Sequence, residues 1–346
     1  MKMRLLVLYT EMASYFHACL ECLVDRHDVD VLVVNWPVNS IAPFVFREHR
    51  KIRQVDKTSF QNRTDLLEQC VHFNPDVIYT AGWMDKDYLF ISRYFRKKGK
   101  SVILGSDTKW SGTLKQRVAT LIGPFVLRRT FSAMWVPGPD QYVYGRRLGF
   151  SAEQLAEGLY SADQPLFNEA YRRNRNLKKS RYPRIMVYIG RLSPEKGIMD
   201  LVQAFRSILP EARNGWQLAI YGIGPLKEKI EFGGDIQHHD FLQPHALAEV
   251  LSRSGCLVLP SHEEPWGVVV HECCAAGLPL ILSDHVGAAS VFLKRGENGY
   301  RFQAGNQQEL QRCLEDLMAL DDDRLWTMGE RSAESVSYTH LRAHET

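Results

Sequence analysis

Two α/β domains in tandem, each built on a doubly wound parallel sheet, are predicted by three features of this sequence. Short apolar runs alternate with helical stretches in both halves, which is the pattern of stacked βα units. A polar, basic segment at 168–183 interrupts the alternation, which then restarts. The length, 346 residues, also suits two domains, since a domain takes roughly 100–200 residues.

In the first domain, 1–167, the segment 4–9, with its continuous apolar run at 5–9, reads as a strand covered on both faces, where half-exposed alternation is lost. An amphipathic stretch at 12–24 follows, then a second apolar run at 29–34. Asn74-Pro75-Asp76 introduces a strand at 77–79 and Gly99-Lys100 another at 101–104, because such residues turn the chain. The segment 168–183 has almost no core residues and reads as an interdomain linker. In the second domain, 184–334, strands are predicted at 184–189, 216–221, 256–259 and 279–282. Helices are predicted at 196–209, after Pro225, at 268–276 and at 306–320, and Asn298-Gly299 reads as a turn of hairpin type. Paired domains of this kind bind ligand in the cleft between them. Residues 335–346 show no helical apolar period and read as an atypical tail, a truncation or scar.

Composition narrows the function. With 45% apolar and 24% charged residues, the chain can bury a core and is not of disordered type. The run at 5–9 is too short for a signal segment, and no stretch approaches the roughly 18 apolar residues of a spanning helix. Seven cysteines without paired CxxC spacing point to a reduced, cytoplasmic protein. The net charge of +3 hides two unequal halves: residues 1–181 carry 28 Lys and Arg against 18 Asp and Glu, and 182–346 carry 15 against 22.

Three motifs in the second half carry chemistry. Gly190-Arg191-Leu192-Ser193-Pro194-Glu195-Lys196-Gly197 follows a strand directly. Gly190 lets the backbone turn, Ser193-Pro194 caps the coming helix, and Arg191 and Lys196 flank its first turn, a good site for a diphosphate. A capped loop with solvated cations has the same spacing, and spacing alone does not choose. Gly222-Ile223-Gly224-Pro225 has two glycines of a dinucleotide fingerprint, but Lys227 stands where a third belongs, and a tight turn with proline at the helix start explains it as well. The third motif spans 260–279. Glu264 lies in the loop before a helix starting at Gly267, and Glu272 more than one turn inside it, so two carboxylates can bracket a polyhydroxy ligand while the N–H groups of Gly267, Val268 and Val269 face an anion. An acid pairing with the helix dipole and a second on a solvated face is the plain alternative. A carboxylate within Val-Val-Val-His-Glu-Cys-Cys-Ala-Ala is costly without a partner, which favours a functional role.

Taken in order, these motifs resemble the nucleotide-binding domain of retaining glycosyltransferases of family 4 (group 1), which have the GT-B fold of two Rossmann-like domains facing across a cleft. The resemblance covers 184–320. It implies that Arg191 and Lys196 neutralise the donor diphosphate, that Glu264 holds the donor sugar, and that Glu272 holds the ribose hydroxyls. It further implies that the backbone at Trp266 and Gly267 binds sugar and phosphate and that Phe241 and Leu242 cradle the nucleobase. The first half departs from the family pattern: the loop at 10–14 has no glycine, and Asp107 stands near where relatives carry a histidine. Gly287-Ala288-Ala289-Ser290 also lacks the acid that relatives often have there.

The resulting expectation is a hexosyltransferase-type enzyme that moves a sugar from a nucleotide-diphosphate sugar to a cell-envelope glycan, lipid or other acceptor with retention of configuration. A sugar-nucleotide epimerase, a phosphorylase and a silent nucleotide-sugar-binding module are the alternatives on one fold. No metal or other cofactor is expected: His262-Glu263 lacks the second histidine of a zinc helix, adjacent His238 and His239 point to opposite faces of an extended segment, and the pairs Asp28/Asp30 and Asp85/Asp87 read as solvated. The basic stretch 114–131, with five cations if Lys109 is included and no acid, reads either as a core-packing helix broken at Gly123-Pro124 or as a segment lying on an anionic membrane, peripheral on its inner face. Nucleic acid is disfavoured, because no binding motif accompanies the charge.

Overall fold

A computed structural model describes residues 2–342, with side chains through Val336. The chain divides into two compact units, Met1–Ser161 and Ala162–Thr346. The first holds strands β1 (Met3–Tyr9), β2 (Val29–Asn35), β3 (Ile52–Asp56), β4 (Val77–Ala81), β5 (Ser101–Gly105), β6 (Ala133–Trp135) and β7 (Leu155–Ala156). Between them run helices α1 (Ser14–Arg26), α2 (Arg63–Phe73), α3 (Lys86–Lys97), α4 (Leu114–Thr130) and α5 (Pro139–Arg147). The strands form one parallel sheet in the order β3-β2-β1-β4-β5-β6-β7. Its middle is fully covered: Leu6, Leu8, Leu32 and Ile78 enter a core on one face, and Val7, Val31 and Val33 another. Helix starts are fixed by side chains, with Asn62 accepting from Thr64 and Asp65 N–H and Asp85 from Asp87 and Tyr88 N–H. Each such cap is worth about 1 kcal/mol.

The second unit runs α6 (Gln164–Ser180), β8 (Ile185–Ile189), α7 (Ile198–Ser207), β9 (Gln217–Tyr221), β10 (Ile236–His239), α8 (Pro244–Ser252) and β11 (Cys256–Leu259), then α9 (Val268–Ala275), β12 (Leu280–Ser283), α10 (Ala289–Phe292), β13 (Gly299–Phe302), α11 (Gln307–Met318) and α12 (Asp322–Arg342). Its sheet has the order β10-β9-β8-β11-β12-β13, the doubly wound arrangement in which strand order reverses beside the first strand.

Several expectations are corrected here. The basic segment 168–183 is not a linker: all but its last three residues lie in α6, whose Phe167, Ala170, Tyr171, Asn174 and Lys178 are buried. With the boundary at 161, the first unit carries 22 cations against 16 acids and the second 21 against 24, so the charge asymmetry shrinks. Among the described residues, ion pairs use two of α6's cations, Arg173 with Glu169 at 3.3 Å and Arg175 with Glu330. The stretch after Pro225 forms only a 3-10 turn, Lys227–Lys229. Asn298-Gly299 makes no hairpin, because β13 pairs parallel to β12. Helix α4 runs unbroken through Pro124, since Gly123 and Pro124 pack tightly on Leu148 and Gly149: a Cβ on Gly123 would lie 3.0 Å from the Leu148 carbonyl oxygen. The backbone of α12 continues helical to Arg342, into the stretch read as a tail; 343–346 lie outside the described residues.

Lys178 makes a stability prediction. It is 3% exposed, its Nζ donates to the Gly277 carbonyl at 2.9 Å, and burial pushes its pKa from 10.5 down to about 7. Between those values the unfolded chain binds a proton that the native lysine has lost, so this residue's contribution rises with pH across that window. Lys178→Met should therefore exceed the parent's Tm by most near pH 6, with the gap closing towards pH 9. A pH-independent gap in scanning calorimetry would refute this role.

Candidate functional site

Strands β8 and β11 are neighbours at the point where the second sheet reverses its order, and crevices at such points receive ligands at the carboxyl ends of the strands. The two loops that leave those ends carry the predicted charges. Lys196 Nζ donates to Glu264 Oε2 at 2.8 Å and to the Glu263 carbonyl at 3.4 Å, with side chains only 12% and 15% exposed. Residues 68 positions apart are thus joined in a partly desolvated ion pair.

Glycine makes the loops' approach feasible. Gly197 has φ +65°, and a Cβ there would stand 2.1 Å from the Pro260 carbonyl oxygen. Gly222, after β9, would meet the Gly190 carbonyl oxygen at 2.0 Å. Around them, Gly190 N–H donates to the Tyr221 carbonyl and Leu192 N–H to the Ile223 carbonyl. Ser193 differs from expectation. The turn at Pro194–Lys196 is 3-10, and the Ser193 hydroxyl does not cap it but donates to Glu195 Oε1 at 2.5 Å. That bond lowers the Glu195 pKa. Arg191 is half exposed, and its nearest acid is Glu195 at 3.9 Å.

Glu264 lies in the loop and Glu272 inside α9, as the sequence predicts. The Glu272 carboxylate has no hydrogen bond or ion pair among the described residues. Burial, reinforced by the charge of Asp163, pushes its pKa up to about 7. Gly267 caps α9 in the left-handed region, φ +89°, and helix geometry leaves the first N–H groups, those of Val268 and Val269, without intrahelical acceptors. The 286–288 stretch braces this loop, with Gly287 N–H donating to the Glu264 carbonyl and Ala288 N–H to that of Trp266. The Trp266 ring is 4% exposed and packs against Phe292, so this residue positions the loop and offers no ring face. Phe241 and Leu242 follow β10, half-buried, in the loop before α8.

Asp107 belongs to the first unit, in the loop after β5, where its charge raises the pKa values of Tyr9, Tyr79 and Tyr160, all chiefly raised by burial. Sequence reasoning missed this tyrosine group, because its members come from distant segments. One trace was legible: Gly105, against which the Tyr79 hydroxyl lies so closely that a Cβ would stand 2.0 Å away. Nearby β1 and β2 end at a pocket lined by Glu11, Tyr15, Asn35, Trp36 and Phe44. The paired acids are held by lysines, and Asp85, read from the sequence as solvated, is buried: Lys57 holds Asp85 at 2.6 Å and Asp87 at 2.9 Å, and Lys2 holds Asp30 at 2.7 Å. His262 pairs with Asp200 at 2.5 Å, and the seven cysteines are free. Among the described residues, no helix is long and apolar enough to cross a membrane.

Solved structures share this fold over nearly the whole chain. Sucrose-phosphate synthase from Thermosynechococcus elongatus matches with a TM-score of 0.73 at 19% identity, covering 97% of this chain and 94% of that one. Anabaena Alr3699/HepE, solved in complex with UDP-glucose, matches with a TM-score of 0.69 at 16% identity, covering 96% and 94%. The protein therefore has the GT-B fold, with two Rossmann-like domains.

Within the second unit, residues 170–333 match the model for glycosyl transferases group 1. Sulfoquinovosyl transferase SQD2 of Arabidopsis thaliana is 29% identical over 151 residues, 40% of this chain and 27% of that protein. The chain spans 16–30% of the length of three of the curated relatives it matches.

Proposed function

We propose that this protein is a retaining glycosyltransferase whose second unit binds a nucleotide-diphosphate sugar. The observation that carries the reading is the Lys196–Glu264 pair joining two loops at the reversal point of a sheet whose residues match group 1 glycosyl transferases. In this reading Arg191 and Lys196 neutralise the departing diphosphate, with the N–H groups of Gly267, Val268 and Val269 adding a fixed positive field. These basic side chains take the part that a metal plays elsewhere. Glu264 accepts from donor-sugar hydroxyls, Glu272 from ribose hydroxyls, and Phe241 and Leu242 cover the base. Gly190 and Gly222 let the backbone approach the phosphates. Asp107 and the aromatic-walled pocket beside Glu11 serve the acceptor side, with a glycan or lipid-linked hydroxyl as acceptor.

A thermal-shift panel of UDP, GDP and ADP sugars tests this directly. A bound donor at about 100 times its Kd stabilises by about 2.7 kcal/mol, and a panel without any shift would defeat the proposal. Glu272 adds a pH signature. Hydroxyl donors favour its ionised form, so nucleotide affinity should rise as pH passes through about 7. Titration calorimetry on Glu272→Gln should find that dependence flattened; an unchanged slope would exclude this role.

A further inference from the structure

Helix α4 has a buried face and an exposed apolar one, and its own unit covers only the first. Gln116, Gly123, Leu127 and Thr130 form the buried face, and the helix contacts α3. At about 100° per residue, the opposite side carries Leu114, Val118, Leu121, Ile122, Phe125 and Val126, which are 44–80% exposed. Single exposed apolar residues are ordinary, but six along one helix make a contiguous patch of the kind that marks an interaction surface. Lys115, Arg117, Arg128 and Arg129 border the stripe, all exposed, and α4 contains no acid. None of these four cations forms an ion pair among the described residues.

We propose that α4 docks in the plane of an anionic phospholipid surface. The stripe enters the boundary of the acyl region and the four cations meet the headgroups, a division of contacts that long basic side chains allow. At 17 residues α4 falls short of the roughly 20 needed to span a bilayer. A second copy of the chain fits the charge less well: α4 packed two-fold on α4 would set four cations against four. The core-packing alternative left open by the sequence accounts for Leu127 but not for the six exposed apolar residues. This inference is independent of the proposed transfer reaction, since its readout is binding.

The test is co-sedimentation of the full chain with vesicles of phosphatidylcholine alone or mixed with phosphatidylglycerol. Binding should favour the mixed vesicles and weaken with salt. Each cation near an anionic surface strengthens partition by roughly fivefold, so replacing all four by glutamine should reduce it by roughly two orders of magnitude or more. The Leu121→Glu, Phe125→Glu variant should lose at least about tenfold while keeping its Tm, as both sites are exposed. Three outcomes overturn the proposal: equal binding to both vesicle types, undiminished binding by the folded double variant, or a concentration-dependent dimer that the double variant abolishes without any vesicle binding.

Discussion

Lys196→Ala should lower sugar transfer by about 10²–10³-fold, the loss typical when one preorganised charge-stabilising group is removed. The size follows from placement. Nζ is held 2.8 Å from Glu264 in surroundings where little solvent reaches either group, so no mobile side chain or water replaces it without reorganisation. Truncation also leaves the Glu264 carboxylate partly buried without its cation. The substitution thus damages two sites at once, the one for the diphosphate and the one for the sugar. Glu264→Gln separates them: it keeps an acceptor for the sugar and releases the lysine, and should impair turnover more than nucleotide binding. Release of nucleoside diphosphate from the donor chosen by the thermal-shift panel measures both. Wild-type rates from a folded Lys196→Ala protein would remove this lysine from the site.

Gly197→Ala is expected to destabilise the second unit by on the order of 3 kcal/mol, combining left-handed strain with a backbone collision. For a unit of this size that lowers Tm by roughly 6–12 °C. The collision is with the Pro260 carbonyl oxygen, 2.1 Å from the added Cβ, so relief requires moving β8's loop away from β11's. Gly215→Ala is the control, because Gly215 has φ +76° with nothing within 4 Å of a Cβ. It carries the strain without the collision and should cost only about 1 kcal/mol. Equal losses at the two positions, measured by chemical denaturation, would show that the loops do not touch at Gly197.

Much of the fold was legible because central parallel strands are continuous apolar runs. Residues 29–34, 101–104 and 256–259 announce themselves, and the structure extends them by a residue at most. Edge and short strands were not legible: Ile52–Asp56 and Ile236–His239 are mostly polar, and Leu155–Ala156 has two residues. Helix α6 escaped for another reason. Its buried positions follow helical spacing, but Asn174 and Lys178 occupy two of them, so the apolar period vanishes into apparent surface. Asn174 is satisfied by Ser252 Oγ at 2.8 Å, a contact that composition does not foretell. At the site, the charged residues were readable one by one. Their pairing was not, since it requires knowing that the strand before Lys196 and the strand before Glu264 are neighbours.

Helix α6 also decides what can be exchanged as a block among relatives. A recombination event joining a foreign donor-binding half at residue 184, where the basic stretch ends, would separate α8 and α9 from the helix that packs on them. Tyr171, Asn174 and Lys178 would stay behind and meet foreign counterparts of Ser252 and Gly277. A crossover between Ser161 and Ala162 moves the helix with its sockets. The heritable module therefore begins some twenty residues before its first strand, inside sequence that looks like spacer.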